Sequence, residues 1–163
     1  MKLSLLQTHG LKILLTIIKS GKETLTASEI SKIEGLKTGY VGKILFMLRK
    51  AGIVSTIRGK TGGYFLADDK KNITLYDVLN ALTPNKTEID LCPNIKEGED
   101  CTHSIDCAIR PVFYEAHQYF KYLAQSITLE EMANREKDIM SKVLKIKDQY
   151  YEKRRNHEKV FRG

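Results

Sequence analysis

The first regular pattern along the chain is helical. Residues 8–19 place Leu11, Leu14, Leu15 and Ile18 at i, i+3, i+4 and i+7, one apolar face of a helix. Ser20-Gly21 ends it. Thr26 and Glu29 have the spacing of a capping box, which opens a second helix carrying Ile30 and Ile33 inward and stopping near Gly35. A third helix is predicted from about Thr38 to Ala51, with Val41, Ile44, Leu45 and Leu48 as its apolar face and Gly52 after its end. The pattern then changes. Ile53-Val54-Ser55-Thr56-Ile57 is β-branched and reads as a strand, Arg58-Gly59-Lys60-Thr61-Gly62-Gly63 as a tight basic turn, and Tyr64-Phe65-Leu66 as the returning strand. Thr74 and Asp77 cap a short helix over residues 74–82.

Residues 84–107 are polar, acidic and without a regular period. A longer helix follows, with Pro111 in its first turn and Val112, Ala116, Tyr119, Phe120 and Leu123 as its apolar face. Thr128 and Glu131 form another capping box, from which one last helix carries Met132, Ile139, Val143 and Ile146 and fades into Lys153-Arg154-Arg155. No repeat or low-complexity tract interrupts this order.

Charge sharpens the picture. The 163 residues carry a net +7, divided as +8 over residues 1–66, −6 over 67–133 and +5 over 134–163. Basic ends around an acidic middle separate a polyanion-binding part from something else. No apolar run approaches the roughly 20 residues that span a bilayer. The short stretch Leu11–Ile18 is interrupted by Lys12 and lacks a cleavage site, so a buried helix is expected there and a cytoplasmic protein overall.

Three helices and then a basic hairpin is the order of a helix-turn-helix with a wing, the second and third helices being joined by Gly35-Leu36-Lys37. A helix fits the major groove and presents side chains to base edges. Here the start of the third helix offers Lys37, Thr38, Tyr40 and Lys43 opposite Val41 and Ile44, and the wing offers Arg58 and Lys60. Cations neutralise phosphates, and glycines let the wing backbone approach the sugar–phosphate chain. A three-helix packing with a hairpin used for protein contacts has the same order; the local positive charge favours double-stranded DNA.

All three cysteines, Cys92, Cys101 and Cys107, lie within sixteen residues. An odd number does not build a disulfide framework. Structural zinc sites use close Cys-x2–4-Cys pairs, whereas gaps of eight and five residues on a loop suit an iron–sulfur cluster. Free thiols, zinc and a thiol or persulfide switch are the alternatives. His103 lies between two of the cysteines as a candidate fourth ligand. Three thiolates leave one iron corner open, which suits a sensor and favours [4Fe-4S] over [2Fe-2S]. No nucleophile–base pair, phosphate loop or H-E-x-x-H is present, so no enzyme is expected.

Several segments together carry a resemblance: MKLSLLQTHGLKIL, VGKILFMLRKAGIVSTIRGKTGGYFLADD, ITLYDVLNAL, C…CTHSIDC, IRPVFYEAH and ITLEEM. Over residues 1 to about 133 the chain resembles the iron–sulfur winged-helix transcription regulators of the IscR/NsrR/RirA type. The resemblance implies a homodimer held by the long helix after the cysteines, acting as a repressor on a palindromic operator, with the cluster sensing iron, nitric oxide or redox state. A metal-free thiol- or persulfide-responsive repressor of the same fold is the alternative. Some relatives complete the cluster with a carboxylate of the partner's first helix; the matching position is Thr8, a poor iron ligand, which makes neighbouring His9 a candidate. Others use a histidine just beyond the third cysteine, where Arg110 stands here. Gly42-Lys43 replaces the relatives' frequent Glu-Gln, so the operator sequence is not carried over.

The expected fold is mainly α with a small β-hairpin wing. It comprises a winged helix-turn-helix over 1–83, a cluster loop over 84–107, a dimerisation helix region over 108–133 and a basic C-terminal extension over 134–163.

Overall fold

The computed structural model describes residues 3–59, 62–67, 72–83, 109–134 and 136–161. Helix α1 (Leu5–Lys19) starts earlier than the apolar period suggests. Ser4 caps it: its Oγ accepts from Gln7 N at 3.2 Å, and Ser4 N donates back to Gln7 Oε1 at 2.9 Å. The buried stripe is Gly10, Leu11, Ile13, Leu14 and Ile17, while Leu15 and Ile18 are half-buried at its edge. The face expected from the sequence is therefore rotated towards Ile13 and Ile17. The reason is position: α1 is the central element of the core and touches α2 (Ala27–Glu34), α3 (Thr38–Lys50), the hairpin and helices α4 (Leu75–Ala81) and α6 (Leu129–Met132).

Helix α2 opens on the expected Thr26–Glu29 box and buries Ile30. Ile33 does not point inward; it is 61% exposed. The chain leaves the helix at Gly35, in the left-handed region at φ 65°, and Ile33 overhangs an open groove beside Lys12, Leu15 and Lys19 of α1. Helix α3 buries Val41, Ile44, Leu45 and Leu48, the face that its period predicts.

Gly52, at φ 76°, turns the chain into strand β1 (Val54–Ile57), which pairs antiparallel with β2 (Gly63–Leu66) in the register Val54↔Leu66 to Ile57↔Gly63. Leu25 joins the hairpin from outside: its N–H donates to Tyr64 O at 3.0 Å, and Tyr64 N–H donates to Leu25 O at 2.8 Å.

The capped starts of α4 and α6 face each other through a Thr74↔Thr128 bridge. Leu75 N–H donates to Ile127 O at 2.8 Å and Leu129 N–H to Ile73 O at 2.9 Å. Both caps are capping boxes, so each helix start is satisfied locally and also locked to the other. The single last helix expected from Thr128 is in fact two. Helix α6 ends where Ala133 and Asn134 N–H turn to carbonyls three residues back, and α7 (Glu136–Phe161) begins after it.

Helix α5 (Ile109–Ser126) runs antiparallel to α7. Arg154 near the end of α7 pairs with Glu115 near the start of α5 at 2.5 Å, and Tyr150 packs on both Tyr119 and Tyr122. The basic C-terminal segment thus folds back on its own chain. Of the apolar face expected on α5, Phe120 packs on the core and Leu123 is half-buried, but Val112 and Ala116 are exposed.

Candidate nucleic-acid interface

The short turn 35–37 between α2 and α3 is fixed by hydroxyls. Ser31 Oγ donates to Leu36 O at 2.6 Å, and Thr38 Oγ1 donates to Ser31 Oγ at 3.0 Å. Thr38, expected to face DNA, is exposed but holds this turn with its hydroxyl. Lys37 stands at the N-cap of α3, exposed and making no side-chain cap bond. The first N–H groups of α3 therefore have no side-chain acceptor at that position, and a helix start of this kind attracts anions. Lys43 is exposed one turn further on, and Arg58 is exposed at the end of β1.

Tyr40 is different. It is half-buried against the core, with its ring edge-on to His9 of α1 at 5.6 Å and its hydroxyl 3.3 Å from His9 Nδ1. A metal bond to His9 would therefore use Nε2. Lys60, Cys92, Cys101, His103 and Cys107 lie outside the described residues. Among the described residues, no group of three or more His, Cys, Asp or Glu could hold a metal ion.

Gly39 and Gly42 add to the α3 surface. Both sit inside α3, neither has a positive φ, and a Cβ at either would meet nothing within 4 Å. Each costs a helix about 1 kcal/mol relative to alanine. A glycine kept in a helix without an internal steric reason was the available signal. The result is a low surface beside Lys43 that a second backbone can approach closely. The wing glycines have an internal reason instead. A Cβ on Gly62 would lie 2.4 Å from Ile57 O, and one on Gly63 would lie 2.8 Å from the carbonyl carbon and oxygen of Leu25.

Residues 84–108 lie outside the described residues; Thr83, which precedes them, is tied to α1. Gln7 Nε2 donates to Thr83 Oγ1 at 3.2 Å and lies 3.4 Å from Leu79 O. Gln7 is two residues from His9. Thr83 and Tyr40 of α3 thus both contact the first turns of α1.

An α3 with a free basic start beside a two-stranded basic wing defines a winged helix-turn-helix reader of DNA. The chain belongs to the Rrf2 family, described as iron-dependent transcriptional regulators, whose model matches residues 6–135. It is a transcription regulator rather than an enzyme. It is 29% identical over 154 residues to the transcriptional regulator NsrR of Bacillus subtilis, covering 91% of this chain and all of that protein. It is 29% identical over 107 residues to IscR of Photorhabdus laumondii, covering 66% of this chain and 63% of that one. Among solved structures it is similar to CymR, the global cysteine regulator of B. subtilis, with a TM-score of 0.66, 27% identity, and coverage of 82% of this chain and 96% of that one.

Proposed function

We propose that this chain is a dimeric repressor whose affinity for a palindromic operator is set by an iron–sulfur cluster on Cys92, Cys101 and Cys107, with His9 or His103 as fourth ligand. The donor set fits the group. Three soft thiolates within sixteen residues favour iron–sulfur chemistry, and relatives of this chain include NsrR and IscR. When bound, the group would supply one iron corner without a thiolate, where a histidine is exchangeable for small ligands, with [4Fe-4S] the preferred form.

The observation that carries the reading is the bond of α1 to Thr83, the last described residue before the cysteine-bearing segment. Gln7 makes that bond, and two residues on His9 touches Tyr40 of the recognition helix. In this reading a change in the cysteine-bearing segment reaches α1 through the Thr83–Gln7 bond, and α1 meets α3 both at His9–Tyr40 and through the buried face of α3. Lys37, Lys43, Arg58 and Lys60 hold phosphates, while Thr38 fixes the turn that aims the helix. A coupling of about 1–3 kcal/mol changes operator affinity about 5–150-fold.

The test is the visible spectrum and the iron and sulfide content of protein purified without oxygen, beside a variant with all three cysteines changed to alanine. Brown wild type with sulfide and a colourless variant are expected. Operator binding by the two forms should differ within the stated range. A colourless wild type that cannot be loaded with iron and sulfide moves the sensor to the thiols themselves, the metal-free alternative that the CymR likeness accommodates. Equal operator affinity with and without the cluster refutes the switch.

A further inference from the structure

Helix α7 lies beyond the family match, which stops at residue 135. One side of it packs on α5 through Ile146 and Tyr150, both buried. A second apolar stripe is open: Met140 is 55% exposed, Leu144 54% and Tyr151 51%. These residues stand at i, i+4 and i+11, so they share one face. On α5, Val112, Ala116 and Tyr119 stand at i, i+4 and i+7, with Val112 66% exposed.

The two stripes join. The helices are antiparallel, and in each the open stripe is displaced in the same rotational sense from the line of contact. In an antiparallel pair such residues emerge on the same side. The junction is direct, because the rings of Tyr119 and Tyr151 stack with centroids 6.1 Å apart and planes 25° apart. On the other side of the hairpin Lys153 lies over the Tyr122 ring at 6.0 Å, and Tyr114 is exposed.

We propose that α7 is a second dimerisation element, in which the Met140–Leu144–Tyr151 stripe pairs with a second copy of this chain and continues the face that α5 presents. The inference rests on the dimer reading above and deepens it. Continuity with the α5 face is one reason to choose a second copy as occupant. Charge is another. The exposed residues flanking the stripe are Lys147, Asp148, Glu152 and Arg155, two of each sign. A face that carries both signs can complement itself across a two-fold axis, as an isologous interface must.

The test is sedimentation equilibrium of the full chain across a concentration series. It compares wild type with the double variant Met140→Glu/Leu144→Glu and with Ser141→Glu, which lies off the stripe. The double variant should weaken the dimer at least about 100-fold, as loss of central apolar anchors does. Ser141→Glu should stay within about threefold of wild type, and all three should keep the same far-UV circular dichroism. If the double variant loses helix, Met140→Ser/Leu144→Ser is read in its place, with about tenfold weakening expected. A wild-type dimer matched in strength by the folded stripe variants overturns the role of α7 and leaves the dimer reading standing. A wild type that stays monomeric at every concentration overturns both.

Discussion

Gly63 offers the cleanest test of how the wing is anchored. Its backbone lies outside the left-handed region, so alanine is allowed there on conformational grounds. Space is what forbids it. A Cβ would stand 2.8 Å from the carbonyl carbon and oxygen of Leu25 and 3.0 Å from Thr24 Cβ. The Leu25 atoms are backbone, which no rotamer change can move. The strand must therefore retreat from Leu25, straining the two Leu25–Tyr64 hydrogen bonds of 3.0 and 2.8 Å. Overpacking of this kind costs about 1–3 kcal/mol, and two weakened backbone bonds add about 1 kcal/mol each at most. The lower entropy of an unfolded chain with alanine returns about 0.4–1 kcal/mol. With both bonds lost at that full cost, Gly63→Ala is expected to destabilise by about 2–4.5 kcal/mol, a large share of the roughly 5–15 kcal/mol of a typical domain. Urea unfolding followed by far-UV circular dichroism measures it. With a slope of about 2 kcal/mol/M, the midpoint falls by about 1–2 M. Gly39→Ala is the control: nothing lies within 4 Å of its Cβ, and helix propensity alone should stabilise by up to about 1 kcal/mol. A Gly63→Ala midpoint equal to that of wild type would refute the argument that Leu25 closes the space beside β2.

Three further outcomes follow from the same geometry. Gly42→Ala should raise the urea midpoint slightly yet weaken operator binding, since it gains helix propensity while placing a methyl on the low surface beside Lys43; a filter-binding titration in which affinity is unchanged would remove Gly42 from the interface. Lys43→Ala should weaken binding to all DNA sequences alike and reduce the slope of log affinity against log salt by about one, read from titrations at several salt concentrations. Glu29 is held at a pKa of about 2, below its ordinary 4.5, first by the hydrogen bond from Lys22 and then by bonds from the Thr26 backbone and hydroxyl. A carboxylate depressed in the folded state stabilises fully above its unfolded value and loses that contribution as pH falls from about 4.5 to about 2. Wild type should therefore lose stability across that window more steeply than Glu29→Gln, with the difference shrinking in high salt, and parallel curves would dismiss the cap as a source of pH dependence.

The sequence is most legible where one helix face meets one core. The Val41, Ile44, Leu45 and Leu48 period of α3 is buried as predicted, and the Thr26–Glu29, Thr74–Asp77 and Thr128–Glu131 boxes all form. These signals are local, so tertiary packing has little to override. Two misreadings have a shared cause. For Ile33 and the α1 stripe the period gives the width of an apolar arc without saying which neighbours fill it. With neighbours on several sides, α1 buries Ile13 and Ile17 as well, while α2 has only eight residues and one buried anchor, Ile30. Pairings such as His9–Tyr40 and Gln7–Thr83 join residues 31 and 76 positions apart, and no local pattern contains them. The open face on α5 is informative in the opposite direction. Val112 and Ala116 obey the helical period of a buried stripe, yet the single chain leaves them in water. In the dimer proposed above, the same periodicity would be buried between two copies. A regular apolar stripe open on the surface marks an interaction site, and the proposed dimer assigns it to a second copy. The same reasoning applies to Met140 and Leu144, since a helix that needed only to pack on α5 could carry polar residues at both positions without losing its contact with Tyr119 and Tyr122.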